Sequence, residues 1–94
     1  MNNIFDLLRS PTEIAEGVAA RMIKRRKEQK LTQKELSERS GVSLGSLKRF
    51  ERTGEISLAS LIKISFVLGC ENDFDGLFAK KGYTSIQEVI NEQI

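Results

Sequence analysis

Two helix starts with a glycine turn between them constrain this sequence more than any other feature. Thr32-Gln33-Lys34-Glu35 has the pattern of a capping box, in which a threonine and a glutamate three residues later satisfy each other's backbone N–H groups. Ser43 can cap a second helix, and Gly41 permits the left-handed backbone that ends the first one. The segment therefore predicts two short helices, over 32–39 and 43–52, joined by a tight turn.

A longer helix is predicted before this pair. Ser10 can cap it, Pro11 suits its first position, and Glu13 is placed to complete a capping box. We expect the helix to run to about Gln29. Its inward stripe, at i, i+4 and i+8, is expected to consist of Ile14, Val18 and Met22.

Four further helical segments are predicted. Ser57 begins a helix that stops at Gly69, with an apolar stripe of Leu58, Leu61, Ile64 and Leu68. A short fifth helix is expected to contain Phe74, Leu77 and Phe78. The amphipathic segments 4–8 and 86–94 are expected to form terminal helices that supply a dimer interface or extend the core.

The chain is expected to be a single all-α domain over 1–94. Its 94 residues and apolar fraction of 39 % suffice for a modest core. We divide it into a core over 10–78 and appendages over 1–9 and 79–94. No apolar stretch approaches the roughly 20 residues that span a bilayer, and the single cysteine, Cys70, suits a reducing cytoplasm.

The charge is unevenly distributed along the chain. Residues 21–52 hold eleven basic and four acidic side chains, a net charge of +7, whereas residues 1–20 carry −2 and residues 53–94 carry −3. A basic middle between acidic flanks is the pattern of a surface that binds a polyanion. A solvated helix face explains the charge alone equally well.

The two short helices have the spacing of a helix-turn-helix, whose second helix enters the major groove of DNA. The same arrangement of two helices also occurs in proteins that do not bind DNA, so the functional prediction depends on the side chains. If Leu47 and Phe50 face inward, cations crowd the opposite face, which is unfavourable unless a polyanion meets it. That outward face consists of Leu44, Gly45, Lys48, Arg49 and Arg52.

The stretch LTQKELSERSGVSLGSLKRFERTGEISLASLIKISFVLG resembles the phage-repressor (Cro/cI, XRE) class of helix-turn-helix domains. The resemblance covers roughly residues 18–78 and implies a lambda-repressor-like five-helix fold with short helical extensions. It implies that Gln33 contacts a phosphate or base edge, and that Leu44, Gly45, Ser46 and Arg49 face the groove. It also implies a structural ion pair between Arg26 and Glu51.

Roles in DNA binding follow for each side chain. Arg49 is our first candidate for base readout, because bidentate hydrogen bonds to guanine discriminate by about 1–3 kcal/mol; a phosphate contact is its competing role. Leu44 could lie against a thymine methyl or be hidden by a neighbouring helix or a partner. The expected phosphate contacts are Lys30, Lys34, Lys48 and Arg52, with Ser43 and Ser46 at the helix N-terminus.

The functional prediction is a DNA-binding transcriptional regulator, expected to act as a dimeric repressor on a palindromic operator. An enzyme is not expected, because the sequence has no histidine and no metal-ligand cluster, and no cofactor is expected. A narrower resemblance, to the HipB-like antitoxins that hold HipA-type kinase toxins, implies a protein toxin as an alternative partner. In that case the complex of antitoxin and toxin would repress its own operon.

Overall fold

The computed structural model describes residues 9–82, and the regular secondary structure of this part is entirely helical. Four α-helices, α1 (Pro11–Glu28), α2 (Gln33–Ser40), α3 (Leu44–Thr53) and α4 (Leu58–Leu68), precede a 3-10 helix over Glu71–Gly76. The all-α prediction is confirmed over these residues. The predicted segments 4–8 and 86–94 lie outside the described residues.

The helix starts are fixed by hydroxyl caps at the residues that the sequence indicates. Each cap oxygen accepts a hydrogen bond from the backbone N–H three residues later, at 3.0–3.1 Å. These caps are Ser10, Thr32, Ser43 and Ser57. At α2 the capping box is complete, whereas at α1 only its Ser10 half forms and Glu13 makes no return bond among residues 9–82.

The core lies where α2 and α3 meet α1 and α4. Helix α1 packs on α3, and α2 packs on both α3 and α4. The largest fully buried side chains are Leu36, Leu47, Phe50 and Ile64. Helix α3 is therefore held from two sides, which leaves one of its faces to solvent.

Two predicted core positions are wrong. Ile14 is 49 % exposed because Ala15, the next residue, is the one that meets the end of α3. The buried face of α1 is thereby turned toward Ala19 and Met22. Leu58, in the first turn of α4, is 58 % exposed, and burial in that helix centres on Ile64 and Leu68.

The fifth helix is tighter than predicted and ends earlier in the chain. It is a 3-10 helix that ends at Gly76, so Leu77 and Phe78 lie beyond it. Leu77 has extended backbone angles and Phe78 has a left-handed φ of 61°, and both side chains are exposed. Within residues 9–82, no helix is long and apolar enough to cross a membrane.

Candidate nucleic-acid interface

The turn between α2 and α3 is fixed by short-range hydrogen bonds. Gly41 ends α2 with a left-handed φ of 77°. Beyond it, the Ser37 hydroxyl donates to the carbonyl of Val42 at 2.6 Å, and the Val42 N–H donates to the Ser40 hydroxyl at 3.1 Å. Because the Val42 side chain is buried, the turn is also fastened to the core. The angle between α2 and α3 is thus set by sequence-local contacts.

Helix α3 has a buried face and an opposite, basic face. Leu47 and Phe50 are at most 1 % exposed. At 100° per residue, four positions share the opposite face, and the structure leaves all four exposed. They are Gly45, Lys48, Arg49 and Arg52. Three cations therefore project from one side of a short helix.

Leu44 and Gly45, which have no polar side chain, occupy different positions on this helix. Leu44 lies at the flank of the basic face and is half-buried. Gly45 lies near the middle of that face, one turn before Arg49, and a Cβ built on it would have no atom within 4 Å. Packing within the described chain therefore does not require a glycine at this position.

Arg26 and Glu51 join α1 to α3. The Arg26 Nε and Nη2 groups donate to the two carboxylate oxygens of Glu51, each at 2.9 Å, and the side chains are only 10 % and 9 % exposed. The remaining Arg26 nitrogen, Nη1, donates to the carbonyl of Leu31 at 2.9 Å. All three guanidinium nitrogens are thus used to hold the arginine in one place.

Gln33 is attached to the same carboxylate. Its Nε2 group donates to Glu51 Oε1 at 3.0 Å, which links the start of α2 to the α3 side of the ion pair. No other bond to this amide is found among residues 9–82. One amide N–H and the amide oxygen are therefore left for a ligand.

A second attachment holds the far end of α3. Gly54 ends the helix with φ of 80°, and a Cβ built on it would lie 2.8 Å from the Ala15 carbonyl carbon and 2.9 Å from the Glu16 nitrogen. Only a glycine allows α1 to approach this closely. Helix α3 is thus fixed to α1 through Glu51 and again through Gly54.

Arg49 is engaged by a residue that the sequence analysis missed. Its Nη2 group donates to the Glu55 carboxylate, and both side chains are more than half exposed. Thr53 strengthens the arrangement, since its hydroxyl donates to the Arg49 carbonyl at 2.7 Å and accepts from the Glu55 N–H at 3.1 Å. Helical spacing could not indicate this pair, because Gly54 reverses the chain between its two members.

The serines at the start of α3 differ in what they can offer a phosphate. Ser43 accepts from the Ser46 N–H and donates its hydroxyl hydrogen to Ser46 Oγ at 2.9 Å. Ser46 is exposed, and its own hydroxyl hydrogen has no acceptor among residues 9–82. Ser43 is therefore committed to its cap, and Ser46 is the freer donor.

Three other cations that the sequence predicts to bind DNA lie on α2 and on α3. Lys34, near the start of α2, is exposed, as are Lys48 and Arg52 on α3. Within residues 9–82 none of the three has a salt-bridge partner. An open cleft of about 260 Å³ lies between α3 and the start of α4, and Arg49 and Glu55 form part of its wall.

One carboxyl group near this surface has a perturbed pKa. The backbone N–H of Thr32 donates to Glu35, which lowers the pKa of that carboxyl group, and a hydrogen bond with the Thr32 side chain and the charge of Arg39 lower it further. Hydrogen bonds to the ionised form stabilise it. Glu35 is thus a structural cap of α2.

One comparison with known proteins agrees with this geometry. A family model described as helix-turn-helix matches residues 22–71, a range that begins inside α1 and ends at the start of the 3-10 helix. A comparison with curated proteins finds no match. The matched range includes both helices of the motif and the Arg26–Glu51 pair. The chain therefore belongs to the Cro/cI-type (XRE) helix-turn-helix family of DNA-binding transcriptional regulators.

Proposed function

We propose that this regulator is a repressor that binds a palindromic operator as a dimer, with α3 in the major groove. The observation that carries the proposal is the outward face of α3, where three exposed cations surround an open glycine on a helix fixed at two points to α1. A rigid helix with one basic face matches the width of the major groove.

The side chains divide into two groups by their reach and chemistry. Arg49 is the candidate for base readout, since most of its guanidinium N–H groups are not used by Glu55. The other cations and Ser46 suit phosphates, which hold a protein on the duplex without reading its sequence. This phosphate group comprises Lys34, Lys48, Arg52 and Ser46, with Gln33 supplying a phosphate or base contact.

Leu44 and Gly45 supply apolar contact and close approach instead of hydrogen bonds. Leu44 is only half-buried, so part of its side chain is left for a thymine methyl group. Gly45 allows the backbone to approach the bases. We propose that direct readout is correspondingly sparse and that DNA shape contributes to selectivity.

A dimer is proposed because one recognition helix covers too few base pairs for useful specificity. The described chain exposes large apolar side chains outside α3 that a second copy could cover. They are Leu58 and Phe66 on α4, with Leu77 and Phe78 after the 3-10 helix. Segments 4–8 and 86–94 remain proposed contributors to this interface.

The experiment is selection of bound duplexes from a randomised double-stranded DNA library, followed by sedimentation of the free protein. The proposal predicts an inverted repeat whose half-sites are about 34 Å apart, one helical turn. It also predicts a dimer at micromolar concentration. Recovery of DNA with no shared sequence would contradict the proposal of a specific operator. A monomer in sedimentation would contradict the proposal of a dimer.

An antitoxin role is the second candidate. The exposed apolar side chains of α4 and residues 77–78 would also suit a protein partner, and the resemblance to HipB-like antitoxins makes that partner a HipA-type kinase toxin. Co-expression with the product of the adjacent gene tests this role. A stable complex that protects cells from the kinase would support it, and absence of a kinase gene from the operon would contradict it.

A further inference from the structure

The geometry points to Glu55 as a positioning residue for base recognition: it holds the Arg49 guanidinium toward the bases and away from phosphates. This inference rests on the proposed function, in which Arg49 reads a base. It assigns specificity to a residue outside the helix-turn-helix itself, in the loop between α3 and α4.

Glu55 is held to Arg49 by its backbone as well as by its side chain. Its N–H donates to the Thr53 hydroxyl, which in turn donates to the Arg49 carbonyl, so one hydroxyl ties the backbone of both members of the pair. The carboxylate then accepts from Arg49 Nη2. The two residues are thereby joined through the backbone and through their side chains, as in a small ring.

The negative charge of Glu55 changes how Arg49 interacts with phosphates. Glu55 is an exposed anion beside a helix face that carries Lys48, Arg49 and Arg52, and a free carboxylate there would repel DNA phosphates. Paired with Arg49, it neutralises one cation of the face. An arginine with a neutralising carboxylate gains less from a phosphate, whereas its hydrogen-bonding geometry toward a base is retained.

Arg49 keeps most of its hydrogen-bond donors when it is paired with Glu55. A guanidinium has five N–H groups, and the contact with Glu55 is made through Nη2 alone. Nη1, Nε and the second Nη2 hydrogen are therefore left for guanine O6 and N7. Restricting the long arginine side chain before binding also reduces the entropy that must be lost in the complex.

The test compares Glu55→Ala with wild type on two duplexes, the one selected from the random library and the same duplex with the base pair read by Arg49 replaced. We expect the ratio of the two affinities to fall by about two- to tenfold, the range of one hydrogen bond. Affinity for the replaced duplex should stay the same or rise. Glu55→Gln, which retains an acceptor oxygen, should give an intermediate ratio.

Two matched controls isolate the contact. Glu38→Ala removes an equal charge from an exposed residue of α2 that makes no bond to Arg49, so its ratio should equal that of wild type. In an Arg49→Ala background, Glu55→Ala should leave the ratio unchanged, because the residue to be positioned is gone. Thermal unfolding of each variant should match wild type, since the pair is exposed.

The outcomes separate this inference from the proposed function. Suppose that wild type selects an operator. If Glu55→Ala then keeps the wild-type ratio of affinities, or if it lowers that ratio by the same factor in the Arg49→Ala background, the positioning role is wrong and the operator proposal stands. If wild type prefers no sequence, the proposed function fails and this inference fails with it.

Discussion

Arg26 of α1 and Glu51 of α3 meet in a two-point ion pair, with both contacts at 2.9 Å and both side chains nearly buried. Glu51 is the only acidic residue of α3, and it points toward α1 while the cations of the helix point to solvent. The same carboxylate also binds Gln33. One residue of α3 therefore contacts both α1 and the start of α2 and helps to hold the three helices together.

Breaking this pair from one side should be costly. Glu51→Ala leaves the Arg26 charge largely buried without its partner, and we expect a loss of about 3 kcal/mol in the free energy of unfolding. The double variant Arg26→Met with Glu51→Leu should recover part of that loss, because no buried charge remains. Urea unfolding measures both.

The exposed pair Arg25–Glu28 provides the control for that experiment. Its side chains are 46 % and 51 % exposed, so Glu28→Ala should cost less than about 1 kcal/mol. If Glu51→Ala proved as mild as Glu28→Ala, the structural role of the buried pair would be contradicted.

Two glycines with nearly the same φ should differ in their tolerance of alanine. Gly41→Ala should cost about 1–2 kcal/mol, the strain of a left-handed alanine, because nothing lies within 4 Å of the new Cβ. Gly54→Ala should cost more, since its Cβ would lie 2.8 Å from the Ala15 carbonyl carbon. Equal losses in urea unfolding would show that α1 and α3 do not approach as closely as the structure indicates.

Gly45→Ala should stabilise the protein and weaken DNA binding. Alanine in place of glycine within a helix gains about 0.5–1 kcal/mol, and no atom near Gly45 opposes it. If the backbone at Gly45 approaches the bases, however, the added methyl group displaces the helix from the groove. Thermal unfolding and DNA affinity, measured on one preparation, separate these effects.

Higher stability with unchanged DNA affinity in Gly45→Ala would show that Gly45 does not lie in the DNA interface. Gly17→Ala in α1 serves as the comparison, because that helix residue lies outside the proposed DNA-binding surface and its Cβ would meet only the flexible end of Arg21 at 3.3 Å.

The capping box of α2 should give a defined pH dependence. The pKa of Glu35 is lowered in the folded state by hydrogen bonds from Thr32, so the folded protein favours the carboxylate. The stability gained is complete above the pKa of the unfolded state and is lost as the pH falls through the folded-state value. Stability relative to Glu35→Gln should therefore shrink between about pH 7 and about pH 3.

Glu38→Gln is the matched control, since it removes one carboxylate from the same helix and leaves the Thr32–Glu35 capping box in place. A difference between wild type and Glu35→Gln that stayed constant with pH would contradict the assigned role of the carboxylate.

The sequence predicted the parts of the fold that depend on local chemistry. Thr32, Ser43 and Ser57 cap helices at the expected residues because a hydroxyl cap and its N–H partner are only three residues apart. The positions of Leu47 and Phe50 followed from helical periodicity in the same way.

The parts that the sequence did not predict depend on how the helices pack. The exposure of Ile14 is set by the contact of Ala15 with Gly54, which joins distant segments. The Arg49–Glu55 contact requires a chain reversal at Gly54, and helical periodicity contains no information about it. Periodicity likewise cannot show whether residues 74–78 form an α-helix or the tighter 3-10 turn that ends at Gly76.

The central claim, that the basic face of α3 reads and holds DNA, is tested most directly by comparing Lys48→Ala with Arg49→Ala on the selected operator over a range of salt. Lys48→Ala should weaken binding to all duplexes alike and flatten the dependence of log affinity on log salt by about one unit. Arg49→Ala should instead reduce the preference for one base pair by about 1–3 kcal/mol. Full affinity and full base preference in both variants would contradict the assignment of α3 as the recognition helix.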